Sequence, residues 1–222
     1  MKAITQTLKK SSKATRGFIV LLLISPFLCT QSLSAQNIQG GFQLGISASQ
    51  ISGDQLAGFN KAGIYGGFYA FTKIKEQGAF QMEINFVQKG SFDGMNPDKG
   101  DYSKYSLNMN YIEIPFLYKY YLSNPKLVLV VGLSYARLIG NAVEKDENGI
   151  ISRLPSHPKF RNWELGIQGG LEYYFHEKWH AVFRAENSIL HVREHSGGAT
   201  YMLNRGQYHS VLMLSLAYNF SS

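Results

Sequence analysis

Residues 111–121 read Y-I-E-I-P-F-L-Y-K-Y-Y, a run of large apolar side chains interrupted by a glutamate, a proline and a lysine. Side chains alternate across a strand, so Ile112, Ile114, Phe116 and Tyr118 share one face and Glu113, Pro115 and Lys119 the other. The same division runs through the chain. Counting alternation predicts strands over 39–48, 61–73, 78–90, about 105–121, 126–138, 160–175, 178–190 and 207–220, and no segment carries a helical period. The faces opposite the large residues hold small side chains together with Glu83, Glu113, Lys119, Glu164, Glu172, Arg184 and Glu186. A soluble core could take in those charges only if they were paired. Inside a barrel that crosses a membrane they face the lumen, while the aromatic and branched residues face lipid.

Connection lengths point the same way. Short links fall near 73–78, 123–125 and 176–178, and long polar ones near 49–60, 91–104, 139–159 and 191–206. Strict alternation of short and long is expected of a transmembrane barrel with tight periplasmic turns and long extracellular loops. The fold expected is all-β: an eight-stranded antiparallel transmembrane β-barrel, an up-and-down meander whose closure leaves no unpaired edge in lipid. Tyr118, Tyr120, Tyr173, Phe175, Trp179, Tyr218 and Phe220 cluster at the expected periplasmic ends as a lower aromatic girdle. Tyr135, Trp163 and Tyr208 are candidates for the upper one. Pro115 lacks a backbone donor, which predicts a bulge or kink at that point.

Residues 1–35 read as a secretory signal peptide, leaving 36–222 as the barrel domain. Lys2, Lys9, Lys10, Lys13 and Arg16 precede an apolar stretch from Gly17 to Cys29, and S-L-S-A at 32–35 offers small residues for cleavage. Five of the 22 basic residues lie in that leader, so 17 remain against 15 acidic ones and the formal charge of +7 falls to near +2. Nucleic acid is therefore not an expected partner. The single cysteine, Cys29, also falls in the leader, which excludes disulfides, thiol catalysis and cysteine metal sites from the remainder.

The stretch Tyr111, Ile112, Glu113, Ile114, Pro115 with Lys119 resembles a segment of the PorT-like outer-membrane β-barrel proteins of the Bacteroidota, often named porin-family proteins. The glycines at 41 and 45 and the terminal L-A-Y-N-F are similar as well, although Ser221 and Ser222 follow the final aromatic, where such chains usually end. The resemblance implies an eight-stranded barrel in the cell outer membrane and no particular activity; PorT itself is linked to protein secretion and gliding.

The polar residues allow three chemistries. His191, Glu194, His195 and Ser196 supply the residue types of a lipid A-modifying enzyme, but His195 and Ser196 are adjacent and would not share a strand face. No catalytic site is expected. The four-residue spacings His176/His180 and His191/His195 align ligands only on a helix, so they read as surface histidines; His157 and His209 have no visible partner. No metal and no cofactor are expected. The lumen charges either pair into a polar plug that fixes strand register or line a conduit for cations, and an eight-stranded interior is just wide enough for side chains to fill. The excess of carboxylates predicts that some hold protons or lie near water at the mouths. The expected function is a structural, binding or assembly role through the extracellular loops, with 139–159 as the main contact surface. Outer-membrane lipids are the expected partners, with other envelope or secretion proteins as further candidates. The alternatives are a secretion accessory, a small pore, a lipid A-modifying enzyme and a soluble ligand-holding calyx.

Overall fold

The structure is a computed structural model that describes residues 38–53, 56, 58–100, 102, 104–147, 158–194 and 206–220. The expected leader at 1–35, His157, His195, Ser196, Ser221 and Ser222 lie outside those residues. Eight strands run in chain order: β1 (Ile38–Ser52), β2 (Lys61–Lys75), β3 (Gly78–Asp93), β4 (Lys104–Tyr121), β5 (Leu127–Glu147), β6 (Trp163–Tyr174), β7 (Trp179–Ser188) and β8 (Tyr208–Asn219). Each pairs antiparallel with the next, and β8 returns to β1 from Gly41↔Asn219 to Ser52↔Tyr208, closing the barrel. Closure gives every strand a paired neighbour on both sides and leaves no edge, which is what lipid requires of a sheet.

The β4–β5 turn is held by hydrogen bonds from Leu122 N to the Leu127 carbonyl and from Leu127 N to the Asn124 carbonyl. The His176 N to Trp179 carbonyl bond closes the β6–β7 turn. These turns, with the one between β2 and β3, mark the periplasmic end. The four longer connections leave the opposite, extracellular end.

The two faces differ in kind. Outside, Leu44 (65% exposed), Phe68 (67%), Phe116 (58%) and Leu133 (55%) stand free in a band that encircles the barrel. Such a band is far larger than the apolar patches of soluble monomers. Below it, Phe42 packs on Tyr218 at 5.7 Å between ring centroids, Trp179 on Tyr218 at 4.8 Å and Phe80 on Tyr118 at 5.5 Å. Tyr120, Tyr173, Phe175 and Phe220 are exposed at the same end. Inside, two apolar layers lie apart along the axis. Ile51, Val87, Leu107, Met109 and Met213 belong to the one toward the outer mouth, and Phe71, Ala79, Val182 and Ala217 to the one toward the periplasm.

Three expectations need correction. Pro115 causes no bulge: it pairs with Ser134 in a β4–β5 register that runs unbroken from Asn110↔Ile139 to Tyr121↔Val128. On the β3 side, Met82↔Phe116 and Asn85↔Glu113 keep one register across a gap in the ladder. The donor that proline lacks is therefore lost as a local gap, and the strand does not shift. The irregularity lies higher, between Asn108 and Asn110 of β4, opposite Gly140, whose φ of 73° is the left-handed conformation a glycine bulge uses. Second, 139–159 is not all loop. Residues 139–147 belong to β5, and the pairing of β4 with β5 extends to Lys104↔Glu147. Third, β1 and β3 reach Ser52 and Asp93, beyond the ends alternation suggested, because their pairing continues above the apolar band.

Candidate functional site

The lumen contains the strongest constellation of charges among the described residues. Each strand turns alternate side chains inward, and the inward series meet across the interior. On β3 the series is Gln81, Glu83, Asn85, Val87, Lys89; on β4 it includes Glu113 and Lys119; on β6 Glu164, Gln168 and Glu172; on β7 His180, Arg184 and Glu186. Glu83, Glu113, Lys119, Glu164, Glu172, Arg184 and Glu186 are all at most 3% exposed. Space for them comes from small neighbours. A Cβ on Gly166 would lie 2.5 Å from Glu186 Oε1 and 2.6 Å from Ser134 Oγ.

Three clusters result. In the first, Arg184 grips Glu83 with both ends of its fork, Nη1 to Oε2 at 2.8 Å and Nη2 to Oε1 at 2.9 Å. This bidentate geometry is the strongest form of the pair. Glu83 also accepts from Gln43, Gln81 and Asn85, while Arg184 reaches the Tyr65 hydroxyl and Gln168. In the second, Lys89 Nζ donates to Glu113 at 2.8 Å and Glu186 at 2.9 Å and lies 3.5 Å from Glu164. The carboxylates are held in turn by Gln168 on Glu113, Ser134 on Glu186, and Ser188 with His209 Nδ1 on Glu164. In the third, Lys119 meets Glu172 at 2.6 Å and donates to Gln81 and the Tyr174 hydroxyl.

The clusters are one network. Gln81 joins Lys119 to Glu83, and Gln168 joins Arg184 to Glu113. Links between β3, β4, β6, β7 and β8 thus cross the barrel through side chains as well as around it through the backbone. Leaving a buried charge unpaired is costly, so every member constrains its partners' positions.

Three members were not singled out by alternation. Lys89, fully buried, is the hub of three carboxylates. His180, read as a surface histidine, is 1% exposed, stacks on Tyr174 at 4.3 Å between centroids and sits 3.8 Å from Glu172. His209, for which no partner was visible, pairs with Glu164 at 3.0 Å. The signal was present: Lys89 shares parity with Glu83, His180 with Arg184, and His209 with Ser215. Of the other histidines, His176 accepts from the Lys178 backbone in the β6–β7 turn. His191 meets Arg161. Glu194 approaches His191 at 4.0 Å.

At the periplasmic mouth a cavity of about 440 Å³ is lined by residues including Phe71, Lys73, Glu76, Tyr121, Tyr174 and Asn219. Tyr174 lines this cup and also bonds Lys119 and Glu172. The charged network therefore begins where the cup ends.

Comparison with known proteins follows the same architecture. The family model described as "Outer membrane protein beta-barrel domain" matches residues 31–191. No curated protein matches the chain. Among solved structures, Ail, the attachment invasion locus protein of Yersinia pestis, is 12% identical, with 82% of this chain and 98% of that one covered and a TM-score of 0.46. OprG of Pseudomonas aeruginosa is 14% identical, covering 83% and 95%, with a TM-score of 0.39. CarO of Acinetobacter baumannii is 8% identical, covering 78% and 96%, with a TM-score of 0.42.

Proposed function

The chain belongs to the outer membrane protein β-barrel domain family and resides in the outer membrane, and from that premise we propose that it is a non-conducting barrel that acts through its outer rim as a binding or assembly element of the envelope. The observation that carries this reading is the complete burial of Lys89, Glu113, Lys119 and Glu172 in a bonded network that crosses the interior. A cation passing through would have to displace ammonium and guanidinium groups already seated on buried carboxylates. The rim has material for contact: β4 and β5 remain paired past the start of β6, and Tyr102, Ile139 and Val143 are exposed there. Planar-bilayer recording tests the plug. Purified folded protein is expected to give no discrete conductance steps above detergent alone, and regular steps would establish the small-pore alternative.

Two narrower assignments accompany this reading. The Y-I-E-I-P segment with Lys119 supports a place among PorT-like proteins and an accessory role in protein secretion. A deletion strain that exports its cargo normally would count against it. Residues 1–35 are proposed to be a leader removed on export, which N-terminal sequencing of the membrane-fraction protein checks directly. No catalytic role is proposed, and an unchanged lipid A mass spectrum in the deletion strain is the corresponding expectation.

A further inference from the structure

Two neighbouring strands change character at the same height. Along the outward face of β5 the order is Leu129, Val131, Leu133, Tyr135, Arg137. Along that of β6, read toward the extracellular end, it is Ile167, Leu165, Trp163, and then Arg161 just beyond the strand. Arg137 is paired with Trp163, so Arg161 is its diagonal neighbour across the ladder. Each strand thus passes from aliphatic to aromatic to arginine as it leaves the apolar band. That sequence is the transition from acyl chains to headgroups.

Arg137 Nη1 donates to Asn162 Oδ1 at 3.2 Å. Arg161 lies over the Trp163 ring at 5.7 Å and meets His191 Nε2 at 2.6 Å. Neither makes an ion pair with a carboxylate among the described residues. The nearby acids are engaged elsewhere: Glu144 with Arg193 at 3.1 Å and Glu147 with Lys104 at 3.4 Å. Glu194 is directed to His191. On the β3–β4 ladder the paired outward residues Gln88 and Asn110 are uncharged and bond each other at 3.1 Å. Arg137 and Arg161 thus place two cationic side chains side by side across the β5–β6 ladder, and Lys159, two residues before Arg161 in the chain, is exposed.

We propose that Arg137 and Arg161 form a binding site for a phosphate group of lipid A in the outer leaflet, with Asn162 as an additional polar contact and Tyr135 and Trp163 bordering the acyl chains below. Guanidiniums at a low-dielectric boundary bind phosphate by paired charge-assisted hydrogen bonds. The site is independent of whether the lumen conducts; it rests only on the barrel's orientation in the membrane. A fixed headgroup contact on one side would also give the barrel a preferred lipid neighbour there.

The chain's two tryptophans, Trp163 and Trp179, allow a direct test. In a Trp179→Phe background, Trp163 emission is followed as folded protein in detergent is titrated with lipid A, with chemically dephosphorylated lipid A, or with inorganic phosphate. Native mass spectrometry counts the lipid retained. Lipid A is expected to bind more tightly than its dephosphorylated form, and Arg137→Gln and Arg161→Gln each to weaken it roughly tenfold, the scale of one charge-assisted bond. Heat-modifiable gel mobility verifies that the variants are folded. Equal binding of the two lipids, or unchanged lipid A retention in the folded double variant, would overturn the proposal. Inorganic phosphate binding as tightly as lipid A would assign the site to a free anion and overturn the lipid assignment.

Discussion

Lys89 shows how much one side chain can organise. Its ammonium has no solvent to fall back on and faces Glu113, Glu164 and Glu186 from three different strands. Lys89→Met keeps most of the volume and removes the charge, leaving three carboxylates facing each other. The expected cost is about 3–5 kcal/mol, the range for breaking a buried ion pair from one side, read as a lower urea midpoint of the heat-modifiable form in detergent. Stability equal to wild type would mean that the cluster does not hold the strands. Gly166 makes the complementary case through volume, since any side chain there enters the space of Glu186 Oε1 and Ser134 Oγ. Gly166→Val is expected to destabilise by about 1–3 kcal/mol, the usual scale of overpacking. The same denaturation assay would show it.

At the scale of the element, β4 carries the physical logic of the whole wall. Ile112, Phe116, Tyr118 and Tyr120 are exposed outward while Glu113, Leu117 and Lys119 are buried inward. Phe116 lies midway along the apolar part of the strand, so Phe116→Lys is expected to cost about 2–4 kcal/mol, as a cation at the bilayer midplane does. Ile112→Lys, near the outer boundary, is expected to cost much less. Equal penalties at the two sites would place the membrane elsewhere. This inside–outside division was legible from alternation alone, because the side-chain period of a strand is a local property. What alternation did not yield was partnership. Lys89 meets Glu186 across 97 residues and Arg184 meets Glu83 across 101, and such pairings depend on how the ladder registers accumulate around the barrel. Lys89 could be placed on the lumen face by counting from Glu83, yet its three partners could not be named. Pro115 misled for a related reason. Its missing donor is a local fact, but the flanking register is fixed by many other pairs, which leave a gap and no slip.

The whole molecule is a closed eight-stranded wall, apolar outside, bonded through its interior by one charged network between two apolar layers. Folded protein is accordingly expected to stay with membranes after carbonate extraction and to migrate differently on gels before and after boiling. Loss from the membrane with no mobility shift would exclude the barrel. The most direct measurement is a spin-label scan of β5. With Cys29 replaced by Ser, single cysteines are placed from Val128 to Ala136, and collision with oxygen is compared with collision with a water-soluble nickel complex. Positions 129, 131, 133 and 135 are expected to favour oxygen, because lipid surrounds them. Val128, Val130, Ser134 and Ala136, all at most 3% exposed, are expected to collide little with either. High nickel accessibility at those inward positions would show a water-filled lumen and contradict the closed interior that the charged network forms.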